Sequence, residues 1–221
     1  MTMNAHTPRI LTDGETALVN AFETRFGANL SAANRLAAIG LIKDKGLPTR
    51  RVEAFHYTDL RALIQGGWTV ADRPDEESAQ AIGAAFPRLV SDAAVLHFCN
   101  GHHFDRGEDM PDGISVRQAM PELDTPSTNG EIVEAINLAF ADAGASLEVA
   151  ANSNIQRTVG IVHAHTGEAD TLAAVRNSIR AGAKSTSRFI DRAIGPDDAR
   201  YLHSSVVQLK LEEGATVDYV L

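Results

Sequence analysis

The stretch HFCNGHHF, residues 97 to 104, places one cysteine and three histidines within seven positions of a chain that has no other cysteine. Thiolate and imidazole are the donors that hold zinc and iron, so the first question is whether they converge. Asn100-Gly101 is the preferred pair for a two-residue type I′ turn, because both positions need a positive φ. Such a turn sets Cys99 opposite His102, Phe98 opposite His103 and His97 opposite Phe104, and residues paired across a hairpin share a face. His97, Cys99 and His102 then form a candidate three-ligand metal site. The competing reading, which we prefer, is that a lone buried cysteine acts as a small hydrophobe in a folding element.

Three other groups invite a chemical reading. His163 and His165, in VHAHTG, are two apart on a strand and point to one face, as two metal ligands or as groove-lining side chains. Arg50, Arg51, Glu53 and Tyr57 combine charge with a phenol; Glu53 and Tyr57, at i and i+4, share a helix face, and the preferred role is an anchoring network that docks the helix on its neighbour. Asp191, Arg192, Asp197, Asp198 and Arg200 surround Gly195-Pro196. Paired acids do glycosidase chemistry, but solvated turn residues account for the cluster as well. Aromatic residues are only 5% of the chain, few for sugar stacking.

Several elements must position these groups. Ala17, Leu18, Ala21, Phe22 and Phe26 recur at helical spacing over Glu15 to Phe26, and a second helix runs from Ser31, a possible N-cap, to Lys45, stopped by Gly46. A short helix is expected over Tyr57 to Ile64, a strand at Trp68 to Val70, and a helix from Glu76 to Phe86 ended by Pro87. The apolar run Ala94 to Cys99 opens the hairpin. After a loop at Pro121 to Gly130, Glu131 to Ala143 reads as an amphipathic helix. Short β-favouring runs follow: Leu147–Val149, Val159–Ala164, Ala174–Ile179, Arg188–Ile194, Tyr201–Leu211 and Thr216–Leu221. Setting Gly182-Ala183 on Gly214-Ala215 aligns Ile179 with Leu211 and Phe189 with Leu221, a spacing of 32, with Asn152 standing in an equivalent turn. Repeats of this length without helical period predict stacked β units. Alternation up to Leu221 predicts an open β end, covered by a further segment or by another copy.

Composition narrows the partners. The 221 residues carry a net charge of −9, against a nucleic-acid or anionic-membrane surface. No apolar run reaches the length of a membrane span and no secretory signal opens the chain, so a cytoplasmic location is expected. One cysteine excludes internal disulfides and four-thiolate clusters.

The run GLPTRRVEAFHYTDLRAL, Gly46 to Leu63, resembles the SufB/SufD family of iron–sulfur cluster assembly proteins, and a SufD-like subunit in particular. That family carries G-x-P-T-R-R-x-E-x-W-K-Y-T-x-L, matched here by Gly46, Pro48, Thr49, Arg50, Arg51, Glu53, Tyr57, Thr58 and Leu60; Phe55 and His56 replace the usual Trp-Lys. HFCNGHHF, EAINLAFADAGASLEVAAN and LKLEEGATVDYVL extend the resemblance in order. It implies an α+β fold: an N-terminal helical region (1–70), a small mixed segment (71–130) with the hairpin at 94–104, and a helix leading into the start of a right-handed parallel β-helix (131–221), incomplete at its C-terminus. It also implies a non-catalytic scaffold working with SufB-like and SufC-like subunits, the latter supplying ATPase activity. The chain would hold no cofactor of its own, the cluster being handled by the complex, and copies of the chain could pair through the open β end. The other readings are a β-solenoid carbohydrate-active enzyme and a small His/Cys metal-binding protein.

Overall fold

The computed structural model describes residues 9–27, 33–85, 89–104, 107–119 and 131–221. By contacts they fall into two units, Met1–Val70 with Leu123–Phe140, and Ala71–Glu122 with Ala141–Leu221. The expected N-cap Ser31, the stop at Pro87 and the loop Pro121 to Gly130 lie outside the described residues. Among the described residues, no helix is long and apolar enough to cross a membrane.

The first unit contains α1 (Asp13–Phe26), α2 (Ala33–Lys45), a single 3-10 turn (Glu53–Phe55), α3 (Leu60–Leu63), β1 (Thr69–Val70) and α5 (Ile132–Phe140). Helix α1 starts two residues before the expected Glu15 because Thr12 and Glu15 close a capping box. Leu18, Phe22, Ile39, Ile42, Ala135, Ile136 and Phe140 are buried, and the rings of Phe22 and Phe140 meet edge to face at 6.1 Å. Arg35 of α2 lies over Phe26 and donates to the carbonyl of Ala139, satisfying one of the open acceptors at the end of α5. The expected helix over Tyr57 to Ile64 is shorter, because the side chain of Asp59 accepts from the Ala62 amide and starts the helix there.

The second unit is mixed α/β. It contains α4 (Glu76–Ala85), β2 (Ala94–Cys99), β3 (His102–Phe104), β4 (Ile114–Arg117), β5 (Ser146–Val149), β6 (Val159–Ala164), β7 (Thr171–Ala181), β8 (Thr186–Ile194), β9 (Tyr201–Leu211) and β10 (Thr216–Val220). One sheet runs β10-β8-β6-β2-β3, and in the other β9, β7, β5 and β4 lie side by side. Alternate residues of both sheets share one core. Leu96, Phe98, Ile161 and Phe189 come from the first sheet, and Leu147, Val149, Val175 and Ile179 from the second.

The expected right-handed parallel β-helix is corrected by this topology. The strands form two mixed sheets, each with an antiparallel strand at an edge: β3 against β2, and β4 against β5. The reason is local. Asn100 and Gly101, with φ of 50° and 83°, fold β3 straight back on β2, and the ladder from Ile114 to Arg117 runs against β5. The later strands do pair in parallel, β5 with β7 and β7 with β9, and β6 with β8 and β8 with β10.

The register also departs from the expected spacing. Ile179 pairs with Leu209 and Phe189 with Tyr219, offsets of 30 rather than 32. Strands β5 and β7 keep 32, with Leu147 opposite Ile179, as do the bridges of Ala143 to Val175 and of Asn154 to Thr186. The error arose at the turns. Asn152, Lys184 and Gly214 hold the positive φ values (58°, 56° and 70°), so the equivalent of Gly214 is Lys184 and not Gly182. A lysine that tolerates a left-handed conformation leaves no trace in composition.

Candidate functional site

The polar groups of the second unit concentrate where the inner faces of the two sheets meet. On β6, Ile161 and His163 face inward; on β8, Phe189 and Asp191 do the same. His163 pairs directly with Ala193, so Asp191 is its diagonal neighbour, and Tyr219 on β10 stands diagonally to Asp191 in turn. His203 and Tyr201 come from β9 in the opposite sheet. His165 follows β6, and its backbone N–H donates a hydrogen bond to the carbonyl of Ile194.

The contacts are close. His163 Nε2 lies 3.1 Å from Asp191 Oδ1, and the Tyr219 hydroxyl donates to Asp191 Oδ2 at 2.6 Å. His165 Nε2 lies 3.1 Å from His203 Nδ1. The rings of His163 and His203, 4.8 Å apart, join the two pairs. Phe98 stacks on His163 and Tyr201 on His165, which holds both imidazole planes. His163, His165 and Asp191 are each no more than 3% exposed. The approach of His163 to Asp191 is an electrostatic contact rather than an aligned hydrogen bond, and neither ring nitrogen of His163 has a hydrogen-bond partner.

Burial, and then the charge of His163, lower the pKa of His165 to about 4. Burial, followed by His163 and His165, lowers His203 to about 3. Both rings are therefore neutral imidazoles at neutral pH. Burial opposes ionisation of Asp191, but His163 and the Tyr219 hydroxyl outweigh it and hold the carboxyl below its usual range. Burial and the bond to Asp191 raise the Tyr219 phenol, so it stays a donor.

The sequence identified only His163 and His165 of this group. Asp191 was expected in a solvated acidic turn; that expectation is corrected, since it is a buried strand residue while Asp197 and Asp198 are exposed. His203, Tyr201 and Tyr219 were missed. The available signal was alternation within β9 and β10, which puts them on the inner face once the register is known.

The hairpin forms with the expected pairing, Cys99 opposite His102 and His97 opposite Phe104. Cys99 is buried in an apolar cluster with Ala79, Ala164 and Ile194, and burial pushes its thiol up to about 11. His97 Nε2 is 3.2 Å from Glu108, whose other oxygen accepts from the Val95 amide. His102 lines a solvent-open cavity of about 520 Å³ together with Arg73, His103 and Asp142. Among the described residues, no group of three His, Cys, Asp or Glu side chains stands in ligand geometry around one point.

The run from Gly46 to Leu63 divides into two parts. Gly46, Leu47 and Pro48 are buried, and the Leu47 amide donates to Glu15 Oε1 at 2.7 Å. Glu15 is wholly buried and also binds the Thr12 amide and Arg9. Arg50, Arg51, Val52, Glu53, His56, Tyr57 and Thr58 are exposed, Tyr57 almost completely. The expected anchoring network of Arg50, Arg51, Glu53 and Tyr57 is therefore corrected: Glu53 lies in a 3-10 turn that ends before Tyr57, and Glu15 with Arg9 does the anchoring. Compared with known proteins, the chain matches no family model and no curated protein.

Proposed function

We propose that the chain is a non-catalytic scaffold that works through protein–protein contacts, a SufD-like subunit of an iron–sulfur cluster assembly complex with SufB-like and SufC-like partners. The observation that carries this reading is the exposure of the motif. In the run that resembles the family, the charged and aromatic matches Arg50, Arg51, Glu53 and Tyr57 face solvent and leave only the first three residues to the core. An ordered basic and aromatic surface, held from behind by a buried Glu15, has the composition of a protein-binding patch. Leu209, Leu211 and Val220, all exposed on β9 and β10, offer a second apolar surface for assembly. The β-helix implied by the same resemblance is no part of the proposal.

Affinity capture of the protein under reducing, anaerobic conditions tests it. The expected result is recovery of SufB-like and SufC-like partners, and weakening of that recovery by at least about tenfold in the double variant Arg50→Glu, Arg51→Glu, whose exposed positions leave thermal stability unchanged. Capture of neither partner by the unaltered chain would sink the assignment. Partner capture unaffected by the double variant would move the contact elsewhere.

A further inference from the structure

We propose that the outer face of the second sheet, where β4, β5, β7 and β9 lie side by side, is a docking groove for an extended acidic peptide segment of a partner protein, with Arg117 and Lys210 as its two anchors.

Strand register builds the groove. Leu147 and Ile179 point into the core, so by alternation Ser146 and Ser178 point outward. The ladders set Arg117, Ser146, Ser178 and Gln208 in one row across the four strands, and Glu148, Arg180 and Lys210 in the next row on the same face. These two rows line an open groove of about 440 Å³.

Charge points to the class of occupant. The groove is lined by three cations, Arg117, Arg180 and Lys210, against the single carboxylate of Glu148, on a chain whose net charge is −9. Arg180 is committed: it donates twice to Glu212, at 2.6 and 3.1 Å, and Glu148 adds its attraction. Arg117 and Lys210 form no ion pair among the described residues. Lys210 attracts Glu212 less than Arg180 or the Ala183 amide does. The half-buried hydroxyls of Ser146 and Ser178 make no hydrogen bond among the described residues. Two uncompensated cations and two open hydroxyls, held on strands, form a rigid surface complementary to anions and hydrogen-bonding groups.

Spacing selects the peptide. Arg117 and Lys210 stand on the first and fourth of these strands, three ladder steps or about 14 Å apart across the sheet. A lone phosphate engages one anchor and leaves the other uncompensated. An extended chain advances about 3.3 Å per residue, so about four residues span the groove and bring a carboxylate to each anchor. The backbone between those carboxylates meets the serine hydroxyls. Nucleic acid and anionic membranes need broad basic surfaces, and Glu148 and Glu212 interrupt this one. Arg50 and Arg51 take no part in the groove.

The test titrates a fluorescent Ser/Glu peptide of about ten residues, with Glu at every fourth position, with the full chain and reads anisotropy. Binding should weaken at least about tenfold when salt rises from about 0.05 to 0.5 M, and at least about tenfold in the double variant Arg117→Ser, Lys210→Ser. Ser178→Ala should weaken it about fivefold. Arg188→Ser, exposed on the other sheet, should leave it unchanged. Circular dichroism verifies that each variant is folded, and the salt series needs no variant. Absence of binding, equal binding of the same peptide with Gln for Glu, or undiminished binding to the folded double variant would each overturn the proposal. So would pyrophosphate, single-stranded DNA or phosphatidylserine vesicles binding more tightly than the peptide and losing that binding in the double variant, since the groove would then serve a different anion.

Discussion

Glu15 shows how one side chain can serve two levels of structure. As the N3 residue of the capping box it binds the Thr12 amide, and as a buried acceptor it takes the Leu47 amide and pairs with Arg9. Burial opposes its ionisation, but the two amides and the guanidinium win and hold its carboxyl below the usual 4.5. A depressed carboxyl stabilises the fold fully above its unfolded value, and that contribution is lost as pH falls through the folded one. Glu15→Gln should therefore cost about 2 to 4 kcal/mol in urea unfolding near neutral pH, since it leaves Arg9 without its partner and mismatches a buried amide. The deficit relative to the unaltered chain should shrink below about pH 4.5. A deficit independent of pH would assign the effect to shape and not to charge.

At the scale of elements, the hairpin of β2 and β3 is specified by its turn. Asn100 adopts φ of 50° and is buried, while its side chain donates to Thr166 Oγ1 and the Asp72 carbonyl and accepts from the Thr166 amide. Asn100→Ala should cost about 2 to 4 kcal/mol, combining left-handed strain with lost hydrogen bonds. Asn100→Gly removes the strain and keeps the bond loss, so it should cost less. Equal costs in chemical denaturation would show that the conformation of the turn contributes nothing. Gly101, at φ of 83° and with a Cβ position 3.4 Å from the Ala174 carbonyl, has the opposite balance, because there the backbone alone sets the requirement.

At the scale of the whole molecule, β9 and β10 each have one strand neighbour among the described residues and carry exposed Leu209, Leu211 and Val220. Unpaired edges with apolar side chains drive association. Sedimentation should therefore show concentration-dependent self-association that Leu209→Lys with Leu211→Lys reduces by at least about tenfold in affinity; a monomer at all concentrations would refute this. The sequence by itself marked most of the strands, because β-favouring runs between turn residues reveal them, though not β4, which is only four residues long, and it set the hairpin register, because Asn-Gly admits one geometry. It also placed His163 and His165 on one face through simple alternation. It did not reach the pairing of distant strands. A register of 30 rather than 32 rests on Lys184 accepting a left-handed turn, which a surrounding fold enforces and a residue type does not advertise. Nor did it tell an exposed Arg50 from a buried one, or separate Asp191 from Asp197. Those are matters of which face meets the core, and only the tertiary packing of two sheets brought His163, His165, Asp191, His203 and Tyr219 to one place.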